Sequence, residues 1–339
     1  VSTPKTLELP ERVRPVTIES RRGRFAALEA EPTVGACERR PALLIPGFTG
    51  SKEDFIPVLQ PLASAGRRVI AIDMRGQYQS PGAADAGGYA PAALAADIAA
   101  VTEAITDGQG MHLVGHSLGG LIAGETVLTQ TAPIISLTLL SSGPGRITGP
   151  RAEMLGGMLA VMDSAGESRL QATVAQIWQE HLAPEARAGR VPDHVIAFLH
   201  ERMMRNSPAG LMAMGRFLLT CPDRTAELAD AGGPPVLVIY GENDDAWRPA
   251  VQERMATRLG AHRVCIPGAG HSPPVEAPET TASALTAFWH QAEDEERRRA
   301  RQRGRAGKSR RAGERAAGGD HSGTAAWVAT PCSAGVASA

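Results

Sequence analysis

A serine stands in the run Gly115-His116-Ser117-Leu118-Gly119-Gly120, behind the apolar stretch Met111-His112-Leu113-Val114 and ahead of a helix-forming segment at 121–128. A serine hydroxyl has too high a pKa to attack a carbonyl unaided, so it becomes a nucleophile only beside a base. A tight strand-to-helix turn is one way to present it. Such a turn strains the backbone at the nucleophile, and the residues two positions either side must be small for strand and helix to approach. Gly115 and Gly119 occupy those positions. The following helix aims its free N–H groups and positive dipole end at the place where an oxyanion would form, which makes the Leu118 N–H a natural donor. The pattern G-x-S-x-G alone is weak in a chain with 37 glycines. The strand before it and the helix after it give it meaning.

The elements that would hold such a turn are legible along the chain. Residues 7–19 and 24–29 alternate apolar and polar types around Arg21-Arg22-Gly23, which predicts an antiparallel hairpin. Short apolar runs then recur at 42–45, 69–74, 111–114, 134–140, 236–240 and 262–266, separated by stretches of helical spacing such as Phe55/Val58/Leu59/Leu62 and 91–105. Strand-helix alternation predicts an α/β fold with a mainly parallel sheet covered on both faces. Between about 146 and 223 the alternation stops and apolar residues keep helical spacing, which predicts an inserted helical cap. Met154, Met158 and Met162 lie four apart there and share one helix face. The stripe reads either as packing against the body or as a flexible apolar lining over a site.

A last helical segment at 281–289 leads into Glu293-Asp294-Glu295-Glu296, an Arg-rich run and a Gly-, Ala- and Ser-rich end. That composition predicts a disordered basic tail. Its arginines read as a solvated charge run rather than a nucleic-acid arm, because no aromatic stacking residues interleave with them. The expected organisation is a core over 1–145, a cap over 146–225, a second core segment over 226–292 and a tail over 293–339. Cys37, Cys221, Cys265 and Cys332 form no C-x-x-C pair and have no His at ligand spacing, which argues against a zinc site and a dense disulfide framework and fits a reducing cytoplasm. The first residues lack an apolar leader core, and no stretch is apolar for long enough to span a bilayer, so membrane association is not expected.

Four motifs, taken in order over roughly 7–289, resemble the α/β-hydrolase superfamily. Besides the turn at Ser117, Leu43-Leu44-Ile45-Pro46-Gly47-Phe48-Thr49-Gly50 is similar to the family's oxyanion loop, with Pro46 where members usually have His. The resemblance implies Phe48 as a second oxyanion donor through its backbone N–H. Asp73-Met74-Arg75-Gly76-Gln77-Tyr78-Gln79-Ser80 is similar to a structural turn of the family, implying that Asp73 and Arg75 brace it as a pair; Tyr78 replaces a glycine and could reach the pocket. Val236-Leu237-Val238-Ile239-Tyr240-Gly241-Glu242-Asn243-Asp244-Asp245 resembles the strand and turn that carry the acid, normally three residues after the glycine. This selects Asp244, with Asp245 adjacent and Glu242 near. Gly268-Ala269-Gly270-His271 resembles the histidine loop, implying His271 as general base, and the chain order Ser, Asp, His agrees. His116 is expected to pack away from Ser117.

The resemblance implies an eight-stranded sheet and a serine hydrolase acting through an acyl-enzyme on a carboxylic ester, thioester or lactone of a small apolar molecule. It implies neither metal nor organic cofactor. A serine at the turn argues against the epoxide hydrolase and haloalkane dehalogenase branches, which use Asp there. Carbon-carbon bond hydrolysis and acyl transfer are alternatives on the same residues, and a non-catalytic small-molecule receptor is a third reading. In the cap, Met154, Met158 and Trp178 are the expected substrate-binding residues.

Overall fold

The computed structural model describes residues 2–32, 39–106, 108–129 and 131–317. Cys37, Cys332 and the end of the expected tail, 318–339, lie outside them. β1 (Val13–Ser20) and β2 (Gly23–Ala30) form the hairpin, closed by the pair Ser20 and Gly23. β3 (Ala42–Ile45), β4 (Val69–Ile72), β5 (Met111–His116), β6 (Ile134–Leu140), β7 (Val236–Gly241) and β8 (His262–Ile266) complete an eight-stranded sheet in the order β1-β2-β4-β3-β5-β6-β7-β8. The β1–β2 and β2–β4 pairings are antiparallel and the others parallel.

The inner parallel strands β3 and β4 read as continuous apolar runs because both faces are covered. α1 (Ile56–Ser64) lies on one face; α2 (Pro91–Thr106) and α3 (Leu118–Thr129) lie on the other. Within β3 the side chains alternate: Leu43 and Ile45 join the cluster containing Ile98 of α2 and Ile122 of α3, whereas Ala42 and Leu44 join the one containing Leu59 and Leu62 of α1. Because β3 sits between β4 and β5, the connections leaving β3 and β5 run in opposite directions along the sheet. A crevice opens at such a switch point beyond the strand ends, which is where α/β sheets place ligands. Phe48 and Ser117 follow those two strands.

Between β6 and β7 the chain is helical: α4 (Pro150–Ala165), α5 (Leu170–Ile177), α6 (Ala183–Ala188), α7 (Asp193–Arg205), α8 (Pro208–Thr220) and α9 (Thr225–Asp230). Leu155 and Leu159 of α4 and Met214 and Leu218 of α8 belong to the same apolar cluster as Ile122 and Leu139, so this segment shares the main core. A second cluster, with Val174, Trp178, Leu182, Val195 and Leu199, holds its helices to one another. Residues Val1–Glu293 form one compact unit.

α10 (Pro249–Leu259), α11 (Pro273–Glu276) and α12 (Pro278–Ala317) complete the chain. Trp289 of α12 is fully buried; His112 stacks on its ring at 5.2 Å, and the Arg67 guanidinium lies 4.9 Å from it. Glu293 accepts from Arg67 at 2.8 Å and meets His112 at 3.1 Å. Burial opposes the charge of Glu293, yet the His112 and Arg67 contacts outweigh it and bring its pKa down to about 2. At 293, where the tail was expected to begin without regular structure, the chain therefore holds a buried ion pair, and it is helical through Ala317. Ala, Arg, Gln and Glu, which make up most of this stretch, are all good helix formers. Among the described residues no helix is long and apolar enough to cross a membrane.

Candidate active site

Ser117 links β5 to α3 with φ at 54°, left-handed backbone that a non-glycine residue adopts only under constraint. Its N–H donates to the Leu140 carbonyl of the neighbouring strand at 2.9 Å, and its carbonyl accepts from Gly120 N–H at 2.9 Å. The small neighbours are required. A Cβ on Gly119 would stand 2.5 Å from the Ile45 carbonyl oxygen and 2.6 Å from that of Pro46, and a Cβ on Gly115 would overlap the Gly119 backbone. The β3 loop thus presses against the turn at Ser117, and Phe48 comes to line the same cavity as the hydroxyl. Leu118 is the first residue of α3, so its N–H has no partner within the helix.

The other two groups arrive from the ends of β7 and β8. His271 Nε2 lies 3.0 Å from Ser117 Oγ, and its Nδ1 lies 2.9 Å from Asp244 Oδ1. Since the Asp244 carboxylate only accepts, Nδ1 carries the hydrogen and Nε2 is left free to take one from the serine. Asp244 is 3% exposed and also accepts from Ala246 N–H at 3.0 Å and Gln252 Nε2 at 2.9 Å. Burial pushes its pKa up, but these hydrogen bonds and the charge of His271 push it further down, so it is held below the usual carboxylate value. The register is thereby decided between neighbours. Asp245 is turned outward to an ion pair with Arg151 at 2.7 Å, and Glu242 accepts from Gly268 N–H at 2.9 Å.

Two further groups steady the histidine loop. His116 Nε2 donates to the His271 carbonyl at 2.8 Å, and its pKa falls to about 3 because burial first, and then the nearby His271, disfavour its charge. It is packed in the interior, and also ties β5, the strand leading to Ser117, to the loop carrying His271. The Glu276 carboxylate accepts from the Gly270 N–H and, at 2.8 Å, from the Ser272 N–H, bracketing His271 on both sides. Gln252, Glu276 and Arg151 were not singled out in the sequence. Glu276 had a faint signal, a carboxylate five residues after the histidine; Gln252, on a separate helix, had none.

A cavity of about 210 Å³ opens over Ser117 and His271, lined also by Phe48, Met154, Leu155, Met158, Leu182 and Leu218. Each step of four residues along a helix rotates the side chain by about 40°, so a stripe at that spacing winds around the axis. Met154 and Met158 accordingly face the cavity, while Met162 is 2% exposed inside the helical segment. Trp178 does not line the cavity. It is 5% exposed within the α5–α7 cluster, 5.5 Å from the His200 ring, and its part is packing rather than contact with a ligand. A second cavity of about 410 Å³, between α3 and α9, contains neither Ser117 nor His271.

The Asp73 and Arg75 pairing is corrected. Asp73 accepts from the buried Lys52 ammonium at 2.9 Å and from Lys52 N–H at 2.8 Å. Arg75 reaches the other way, to Asp97 of α2 at 2.5 and 2.8 Å. Each charge satisfies a different buried partner supplied by tertiary packing. Tyr78 packs edge-on against Phe198 at 5.6 Å and does not line the cavity.

Residues 42–284 match the alpha/beta hydrolase family. A protein of Variovorax paradoxus that bears the name carbamate hydrolase RutD is 32% identical over 66% of this chain and 82% of its own length. One of Bacillus subtilis that bears the name 2-succinyl-6-hydroxy-2,4-cyclohexadiene-1-carboxylate synthase is 26% identical over 71% of this chain and 87% of its own. In three dimensions, an esterase from Thermogutta terrifontis superimposes with a TM-score of 0.63 at 23% identity, over 82% of this chain and 99% of that one.

Proposed function

From the premise that this chain belongs to the alpha/beta hydrolase family, we propose that it is a serine hydrolase cleaving an ester-like bond of a small apolar substrate through an acyl-enzyme on Ser117. One observation carries the reading: Ser117 Oγ, His271 Nε2 and a buried Asp244 form an unbroken hydrogen-bonded chain, with links of 3.0 and 2.9 Å. In this mechanism His271 Nε2 takes the hydroxyl proton as Oγ bonds to the substrate carbonyl carbon. Asp244 stabilises the imidazolium so formed. The carbonyl oxygen, now negative, is read as receiving the Phe48 and Leu118 N–H groups, a reading supported by Phe48 lining the cavity over Ser117 and by Leu118 being the first residue of α3. His271 returns its proton to the departing alcohol or thiol, and the same cycle with water releases the acid and restores Ser117. Every proton moves between this chain's own groups, the substrate and water.

The cavity supports a small apolar acyl or alcohol group, since Phe48, Met154, Met158 and Leu182 line it and its volume is below the roughly 300–1,000 Å³ of typical ligand pockets. The helical segment over 146–225 is read as the cap that shapes specificity, and Cys221 and Cys265, both free thiols, fit a cytoplasmic setting. A carbamate is the second substrate reading, favoured by the 32% identical relative and by the same attack on a carbonyl.

The test is turnover of p-nitrophenyl esters of graded acyl length by the wild type and by Ser117→Ala, with fluorophosphonate labelling followed by mass spectrometry. Wild-type turnover of the short esters, lost in Ser117→Ala, and a single adduct on Ser117 are expected. Turnover that survives Ser117→Ala would sink the proposal.

A further inference from the structure

We infer that Gln252 is a positioning residue for this reaction, holding the outer oxygen of Asp244 so that the inner one stays on His271. The inference rests on the roles proposed above for Ser117, His271 and Asp244. Gln252 lies in the first turn of α10 and is fully buried. Its Nε2 donates to Asp244 Oδ2 at 2.9 Å and to the Trp247 carbonyl at 2.7 Å, using both amide hydrogens. Both neighbours are acceptors, so only the NH₂ end of the amide can face them. The orientation is dictated by chemistry. Among the described residues Gln252 is the one donor to Asp244 Oδ2, whereas Oδ1 takes His271 and the Ala246 N–H.

The same amide pins the loop that carries the acid at two points, one on either side of Ala246. Trp247 is held in turn, because its indole N–H donates to the Gly145 carbonyl at 2.9 Å. Removing the amide would leave Asp244 Oδ2 buried without a partner, and the carboxylate free to turn off the imidazole. The other charged or titratable groups near the pair are already engaged. His116 lies 5.1 Å from the His271 ring and donates to its carbonyl, Arg151 pairs with Asp245, and Glu276 holds the Gly270 and Ser272 N–H groups. None of them can take over the duty at Oδ2.

Two variants test this, read as pH profiles of kcat and kcat/KM on a short ester. Gln252→Leu, or Gln252→Met should Leu not fold, keeps bulk and removes both donors. Loss of a hydrogen bond to a charged group predicts a fall in kcat of about tenfold to a hundredfold with KM within about twofold. The pH profile of kcat/KM should also depart from the wild-type shape, because Asp244 Oδ2 is then left without a donor. Gln252→Glu is close to isosteric and sets a second carboxyl beside Asp244. Like charges so close share one proton, and the shared O–H can stand in for the lost N–H. Activity relative to the wild type at the same pH should therefore be highest at low pH and decline as that proton is lost with rising pH. A glutamine that merely fills space gives both variants the wild-type shape of profile, whatever their melting temperatures, and that result overturns the inference. Retained turnover in Ser117→Ala overturns the underlying reading instead.

Discussion

Asp244→Asn is the sharpest perturbation of the proposed chemistry, because everything around Asp244 is a donor. His271 Nδ1–H and the Ala246 N–H approach Oδ1, and Gln252 Nε2 approaches Oδ2. An amide NH₂ must therefore meet a donor wherever it points. Facing Gln252, it confronts another NH₂ at 2.9 Å, which Gln252 can relieve only by turning its own oxygen toward the Trp247 carbonyl. Facing His271, it forces the other tautomer, with hydrogen on Nε2, and the ring can no longer accept from Ser117. The variant also loses the charge opposite the imidazolium. With charge centres ~4 Å apart and an effective dielectric of ~20, that attraction is ~4 kcal/mol, or about a thousandfold in rate. The tautomer penalty adds to it, so a fall in kcat of about 10³–10⁴ is expected, with little change in KM. The assay is steady-state turnover normalised to fluorophosphonate-titratable sites, with a thermal melt to establish folding. A folded Asp244→Asn that keeps more than about a tenth of wild-type kcat would refute the orientation argument.

Trp178→Ala should lower stability by about 3–5 kcal/mol, as for other buried large-to-small changes, while leaving KM for short esters within about twofold, because Trp178 packs in the α5–α7 cluster and not in the cavity. Urea melts and Michaelis kinetics separate the two effects. Stability should also decline on acidification. The buried His112 has its pKa pushed down to about 4 by desolvation, from 6.5, so below about pH 6.5 the unfolded chain takes up a proton that the folded one refuses. Its contribution is fully present above that pH and is lost as pH falls toward 4, at up to ~1.4 kcal/mol per pH unit. Glu293, lowered to about 2, acts in the same direction at lower pH, below about 4.5. Urea melts between pH 7 and pH 4 should show a smaller slope in His112→Gln, and an unchanged slope would count against this account.

The parts of this protein that were legible in the chain are those set by local chemistry. A strand buried on both faces is built from apolar residues, so β3 was readable to its end residues; β6, with Ser136 and Thr138, and the largely exposed edge strand β8 were placed by their position in the strand-helix alternation instead. The tight turn at Ser117 admits only small flanking residues, so Gly115 and Gly119 mark it in the chain, although the need at Gly119 comes from the β3 loop, whose Ile45 and Pro46 carbonyls press on it. Asp244 and His271 were reached through motif and chain order, and the folded chain brings them within hydrogen-bonding distance. Pairings across the fold were another matter. Asp73 with Lys52, Arg75 with Asp97, and Glu293 with Arg67 and His112 join residues whose proximity depends on how helices lie on the sheet. Trp178 looked like a pocket residue because periodicity identifies an apolar face and not what that face meets. Gln252 gave no signal, since a buried amide acquires its role from the two acceptors placed before it. Local sterics and patterning are written residue by residue, whereas the satisfaction of buried charge is decided only when distant segments are packed together.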